Sequence, residues 1–75
     1  MNFDQELDAR NLDCPLPILR TKKSLASMTS GQRLKIVATD KGSVEDMQAF
    51  SSKTGNELLS FVEDNGDFIF FIKKK

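Results

Sequence analysis

Cys14 is the only cysteine and histidine is absent, so neither a disulfide nor a Cys/His metal cluster can brace this 75-residue chain. A chain of this length buries only about 60% of the surface that its unfolded form exposes. Stability must therefore come from a well-packed core, and the Leu, Ile, Val and Phe residues suit one compact layer. One domain, residues 1–75, is all the length supports.

The charges balance, with 11 Lys plus Arg against 11 Asp plus Glu. A sequence-independent nucleic-acid binder needs a basic excess to neutralise phosphates, so direct contact with nucleic acid is not expected. Arg20, Lys22 and Lys23 nevertheless cluster along one helical pattern, and Lys73, Lys74 and Lys75 close the chain as what reads as a solvated edge-strand end and tail. No stretch approaches the ~20 apolar residues of a membrane span, and the N-terminus lacks a signal-peptide layout. A free thiol in an unbraced domain fits a reducing compartment, which points to the cytoplasm.

Hydrophobic periodicity divides the chain into six elements. Gln5 to Ala9 reads as a short strand, followed by a loop in which Asn11 tolerates positive φ. A helix is expected from about Pro15 to Met28, its apolar stripe built from Ile18, Leu19, Leu25, Ala26 and Met28, with Gly31 as a left-handed stop. Leu34 to Ala38 is a strand rich in branched residues. Ser43 then caps a second helix, with Glu45 and Asp46 matching its dipole and Val44, Met47 and Phe50 facing inward. Glu57 to Glu63 and Asp67 to Ile72 form a hairpin about Asn65-Gly66, since both central residues of such a turn need positive φ. The order β-α-β-α-β-β predicts an α+β two-layer sandwich: a four-stranded mixed sheet with two helices on one face. The first β-α-β unit should be parallel and the last pair antiparallel. The unbroken apolar run Phe68 to Ile72 is awkward for a one-sided sheet, so its outer residues need cover from a loop or a partner.

The segment Cys14-Pro15-Leu16-Pro17 carries the chemistry. With Cys14 as N-cap, Pro15 falls at the first helical position and Pro17 at the third, where neither loses an intrahelical bond. A thiol there lies at the positive end of a helix, where thiolates are favoured, although the prolines remove N–H donors and Asp13 opposes ionisation. Arg10 and Arg20 offset that charge. Without a second cysteine there is no CxxC couple, and without histidine a cysteine hydrolase lacks its usual base. What remains is a lone nucleophile or the carrier of one sulfur atom. The plainer reading is a buried cysteine packed as a small hydrophobe, with prolines that merely start a helix.

Leu7-Asp8-Ala9-Arg10, Leu12-Asp13 and Cys14-Pro15-Leu16-Pro17-Ile18-Leu19 followed by Lys22-Lys23 resemble the TusA/SirA-like sulfur-carrier family across essentially the whole chain. The resemblance implies the two-layer sandwich and a persulfide shuttle in which Cys14 takes a sulfane sulfur from a cysteine desulfurase or rhodanese-like donor and passes it to an acceptor protein. Thiolation of tRNA is one destination, so nucleic acid enters only indirectly. Exchange of this kind is transferase-like without making the chain a stand-alone enzyme, and neither cofactor nor metal is implied. Partner contacts are expected from Arg10, Asp13, Pro15, Pro17, Arg20 and Lys23. Asn11 stands where the family often has Gly, and Asp13 where many members carry a basic residue. Two other readings remain open: a regulatory or RNA-binding module without covalent chemistry, and a redox sensor that uses Cys14 as a sulfenic-acid site.

Overall fold

The computed structural model describes residues 2–75 as six elements: β1 (Gln5–Ala9), α1 (Leu16–Ala26), β2 (Arg33–Ala38), α2 (Ser43–Thr54), β3 (Glu57–Asp64) and β4 (Asp67–Lys73). The sheet order is β1-β2-β4-β3, parallel between β1 and β2 and antiparallel across the other two pairs. Both helices pack on one face, so the expected α+β sandwich is the one observed. Its core joins Leu25 and Met28, Met47 and Phe50 of the helical layer to Leu34, Ile36, Phe70 and Ile72 of the sheet.

The apolar run in β4 is explained by its place in the sheet. β4 lies between β2 and β3, with Phe68, Phe70 and Ile72 buried under the helices and Ile69 and Phe71 on the open face. Phe3 supplies part of the cover there: its ring lies 6.2 Å from that of Phe71, and Lys35 Nζ sits 5.3 Å from its centroid. The terminal lysines therefore do not finish an edge strand. Lys74 N–H donates to Gln32 O at 2.7 Å and Lys75 N–H to Asn56 Oδ1 at 2.9 Å, which ties the tail to the body.

Four local expectations are corrected. Helix α1 begins at Leu16 with Pro15 as N-cap, because Leu16 N–H is committed to Asp13 O in a turn and helical bonding starts with Leu19 N–H to Pro15 O. It ends at Ala26, where Ser27 and Met28 tighten to i→i−3 bonds; Gly31, at φ +90°, turns the chain into β2 instead. The buried stripe of α1 is Pro17, Thr21 and Leu25, with Ile18 half-buried, while Leu19 is 52% exposed. Helix α2 has Gly42 as N-cap; Asp40 Oδ1 takes the Gly42 N–H at 3.0 Å, and Ser43 is buried with its Oγ unpartnered.

A bulge between Leu58 and Ser60 completes the sheet. It places Leu58 opposite Ile72 and Phe61 opposite Phe70, so both side with the helical layer despite opposite parity in the sequence. Phe61 stacks on Phe70 at 5.2 Å between centroids. At the hairpin, Asn65 and Gly66 have φ of 52° and 90°, as their sequence predicts.

Candidate functional site: a single exposed thiol

Cys14 is exposed in the turn between β1 and α1. Upstream, Asn11 adopts φ 64° and donates its N–H to Thr39 Oγ1 at 2.8 Å, which sets the loop against the end of β2. The Cys14–Pro15 peptide is cis. Cys14 N–H donates to Asp40 Oδ2 at 2.7 Å, so the Asp40 carboxylate clamps the thiol-bearing turn to the loop that enters α2. Behind the turn, Pro17 is fully buried and Thr21 Oγ1 donates to its carbonyl at 2.7 Å.

The thiol opens onto a groove of about 440 Å³ between the two helices. Pro15, Ile18, Ala49 and Phe50 form its apolar lining, and Lys22, Asp46 and Lys53 bring charge to it. Cys14 Sγ–H donates to Asp46 Oδ2 at 2.9 Å. This contact, with desolvation and the nearby Asp40 charge, pushes the thiol above its ordinary value, because a negative charge on sulfur would face two carboxylates. The carboxylate that opposes ionisation at contact distance is thus Asp46, not Asp13. Cys14 also precedes the N-cap of α1 instead of occupying it, the N-cap being Pro15.

The other residues singled out in the sequence are dispersed. Pro15 lines the groove with Cys14. Arg20 and Lys23 lie with Leu7, Leu19 and Ser24 along a different hollow beside α1. Arg10 bends back onto Asp8, Nε to Oδ1 at 2.9 Å, next to the open sheet face. Asp13 is exposed, and Pro17, being buried, offers a visiting protein no side-chain surface. Lys53 and Asp46 had no motif to mark them; Asp46 reaches Cys14, and Lys53 the same groove, only because α2 packs beside α1. Among the described residues no group of three or more His, Cys, Asp or Glu is arranged to hold a metal.

An open sheet, two helices on one side and an exposed thiol at their junction define a small α+β protein with the thiol presented at a corner of the fold. Residues 5–74 match the family described as Sulfurtransferase TusA, and the chain belongs to that family. It is 60% identical over 73 residues to the sulfur carrier protein TusA of Allochromatium vinosum, covering 97% of this chain and 96% of that one. A putative sulfur carrier protein of Bacillus subtilis, YrkI, is 43% identical and covers 99% of both chains. The crystal structure of a SirA-like protein from Desulfitobacterium hafniense superposes with a TM-score of 0.83 at 25% identity, covering 93% of this chain and 96% of that chain.

Proposed function

We propose that this chain is a persulfide carrier: Cys14 accepts a sulfane sulfur from a donor protein and relays it to an acceptor, in tRNA thiolation or a related sulfur-trafficking route. The observation that carries this reading is the exposed Sγ of the sole cysteine at the mouth of an open groove, in a chain of the TusA family. Loading needs little machinery. The Cys14 thiolate attacks the outer sulfur of a donor persulfide, a new Sγ–S bond forms, the donor's S–S bond breaks, and its inner sulfur leaves as a thiolate. No electrons are gained or lost overall. Unloading repeats the exchange with an acceptor thiolate as nucleophile.

The partner surface in this reading starts at Cys14, Pro15 and Asp13 and extends beyond that groove along α1 to the exposed Arg20 and Lys23, with Arg10, beside the open sheet face, contributing once released from Asp8. Pro17 acts through the backbone it stiffens. The exposed Leu16 and Leu19, one turn apart on α1, add apolar surface beside those charges. A donor such as a cysteine desulfurase or a rhodanese-like protein fits this chemistry, and a reducing cytoplasm is the compartment that keeps such a thiol free. No helix among the described residues is long and apolar enough to cross a membrane. The raised thiol argues against a fast peroxide sensor, because the thiolate is the form that peroxide oxidises.

The test is intact-mass analysis after incubation with a cysteine desulfurase and cysteine. We expect a reductant-sensitive gain of one sulfur atom, absent from Cys14→Ser, whose circular dichroism should match the parent. Loading that persists in that variant refutes the assignment. A salt-dependent affinity for tRNA with no partner protein, and no loading, would favour an RNA-binding module instead.

A further inference from the structure

Asp46 stands in the first turn of α2 and accepts the Cys14 Sγ–H bond at 2.9 Å, 32 residues away in the chain. It forms no ion pair among the described residues, where the pairs are Asp8–Arg10 and Glu6–Lys35, although Lys22 and Lys53 line the same groove. Its contact with sulfur is therefore not a by-product of a salt-bridge network. We propose that Asp46 is a positioning residue that holds the unloaded Cys14 as a protonated, groove-facing thiol and so keeps the empty carrier unreactive toward small oxidants and alkylating agents. The term "empty carrier" rests on the persulfide reading above; the geometry does not.

The physics follows from the groups that face the sulfur. A carboxylate that accepts the S–H bond stabilises the neutral thiol and repels the thiolate. Asp40, on the loop before α2, adds a second negative charge of the same sense. The opposite charges nearest by, Lys22 of α1 and Lys53 at the far end of α2, line the same groove, and Asp13 adjoins Cys14 along the chain. The Asp46 hydrogen bond is the largest of the influences that raise the thiol, and the net direction is upward. Thiol exchange and alkylation both proceed through the thiolate, so holding the proton suppresses both. Docking of a donor must then break the Sγ–Asp46 contact before sulfur can be received.

The test is the pH profile of Cys14 alkylation by iodoacetamide, followed by intact mass on the full chain. Asp46→Asn should alkylate roughly three- to tenfold faster near pH 7, with its midpoint moved down, the loss of some nucleophilicity in a more acidic thiol being included in that range. Asp13→Asn, which removes a neighbouring charge that does not touch Sγ, should leave the midpoint in place. An Asp46→Asn midpoint equal to the parent's overturns the proposal, as does an equal shift in Asp13→Asn. If Asp46→Asn does not fold, the parent chain decides: its native midpoint must lie above its midpoint in urea, and equality or inversion overturns the idea. None of these measurements involves a sulfur donor, so a chain that passes them yet takes up no sulfur would sink the carrier reading and leave the role of Asp46 standing.

Discussion

At the scale of single residues, two carboxylates show what sequence can and cannot disclose. Asp8 and Arg10 are two apart on a strand end, and their pairing is local. The Arg10 guanidinium and backbone N–H together hold Asp8 down to about 2, from an ordinary 3.8. Carboxyl NMR should place the Asp8 midpoint there, and Arg10→Gln should return it toward the ordinary value. A depressed folded-state value means that the pair's contribution to stability is present above pH 3.8 and fades as pH falls through about 2. Both side chains are more than half exposed, so salt should weaken the effect. Asp46 is the opposite case. In sequence it reads as a helix-dipole partner, and nothing local links it to Cys14; the link appears only when α2 is laid beside α1. The raised thiol works in the reverse sense, with the native state losing stability as pH climbs above the ordinary 9.0 toward the folded-state value.

At the scale of elements, the features legible in advance were those determined within a few residues. The Asn65-Gly66 turn is one. Gly66 holds φ 90° with open space around it, so Gly66→Ala is penalised by backbone conformation alone, about 1 kcal/mol in urea denaturation. The strand and helix order is another, since each element carries its own periodicity. What was not legible depends on a neighbour. The β3 bulge exists only with respect to β4, and it moves Phe61 onto the helical side. The start of α1 slipped by one residue because the N–H of Leu16 prefers the Asp13 carbonyl, a choice between two local bonds that composition does not reveal. Thr21, polar in sequence yet fully buried, is explained by its bond to Pro17 O. Thr21→Val keeps the shape and loses that bond, and should cost about 1 kcal/mol by the same assay.

At the scale of the whole molecule, a chain with no staple has little stability in reserve. Small domains hold roughly 0.05–0.15 kcal/mol per residue, about 4–11 kcal/mol for a chain of this size. Phe70 is fully buried at the centre of the sheet and touches both the core and Phe61. Removing such a ring costs about 3–5 kcal/mol, so Phe70→Ala should consume a large share of that reserve, read as a marked fall of the urea midpoint at an unchanged slope. The need for such a core was evident from the missing second cysteine and missing histidine. Which Phe residues formed it was not, because β4 has apolar side chains on both faces and only its position between β2 and β3 accounts for both.

One carboxylate, Asp40, grips the backbone N–H of Cys14 with one oxygen and that of Gly42 with the other. The reactive corner and the entry to the second helix are thereby a single mechanical joint. Lengthening or shortening the β2–α2 loop would displace the sulfur without touching its own segment, and grafting Cys-Pro-Leu-Pro onto a foreign helix would transplant the letters without the hinge pin that aims them.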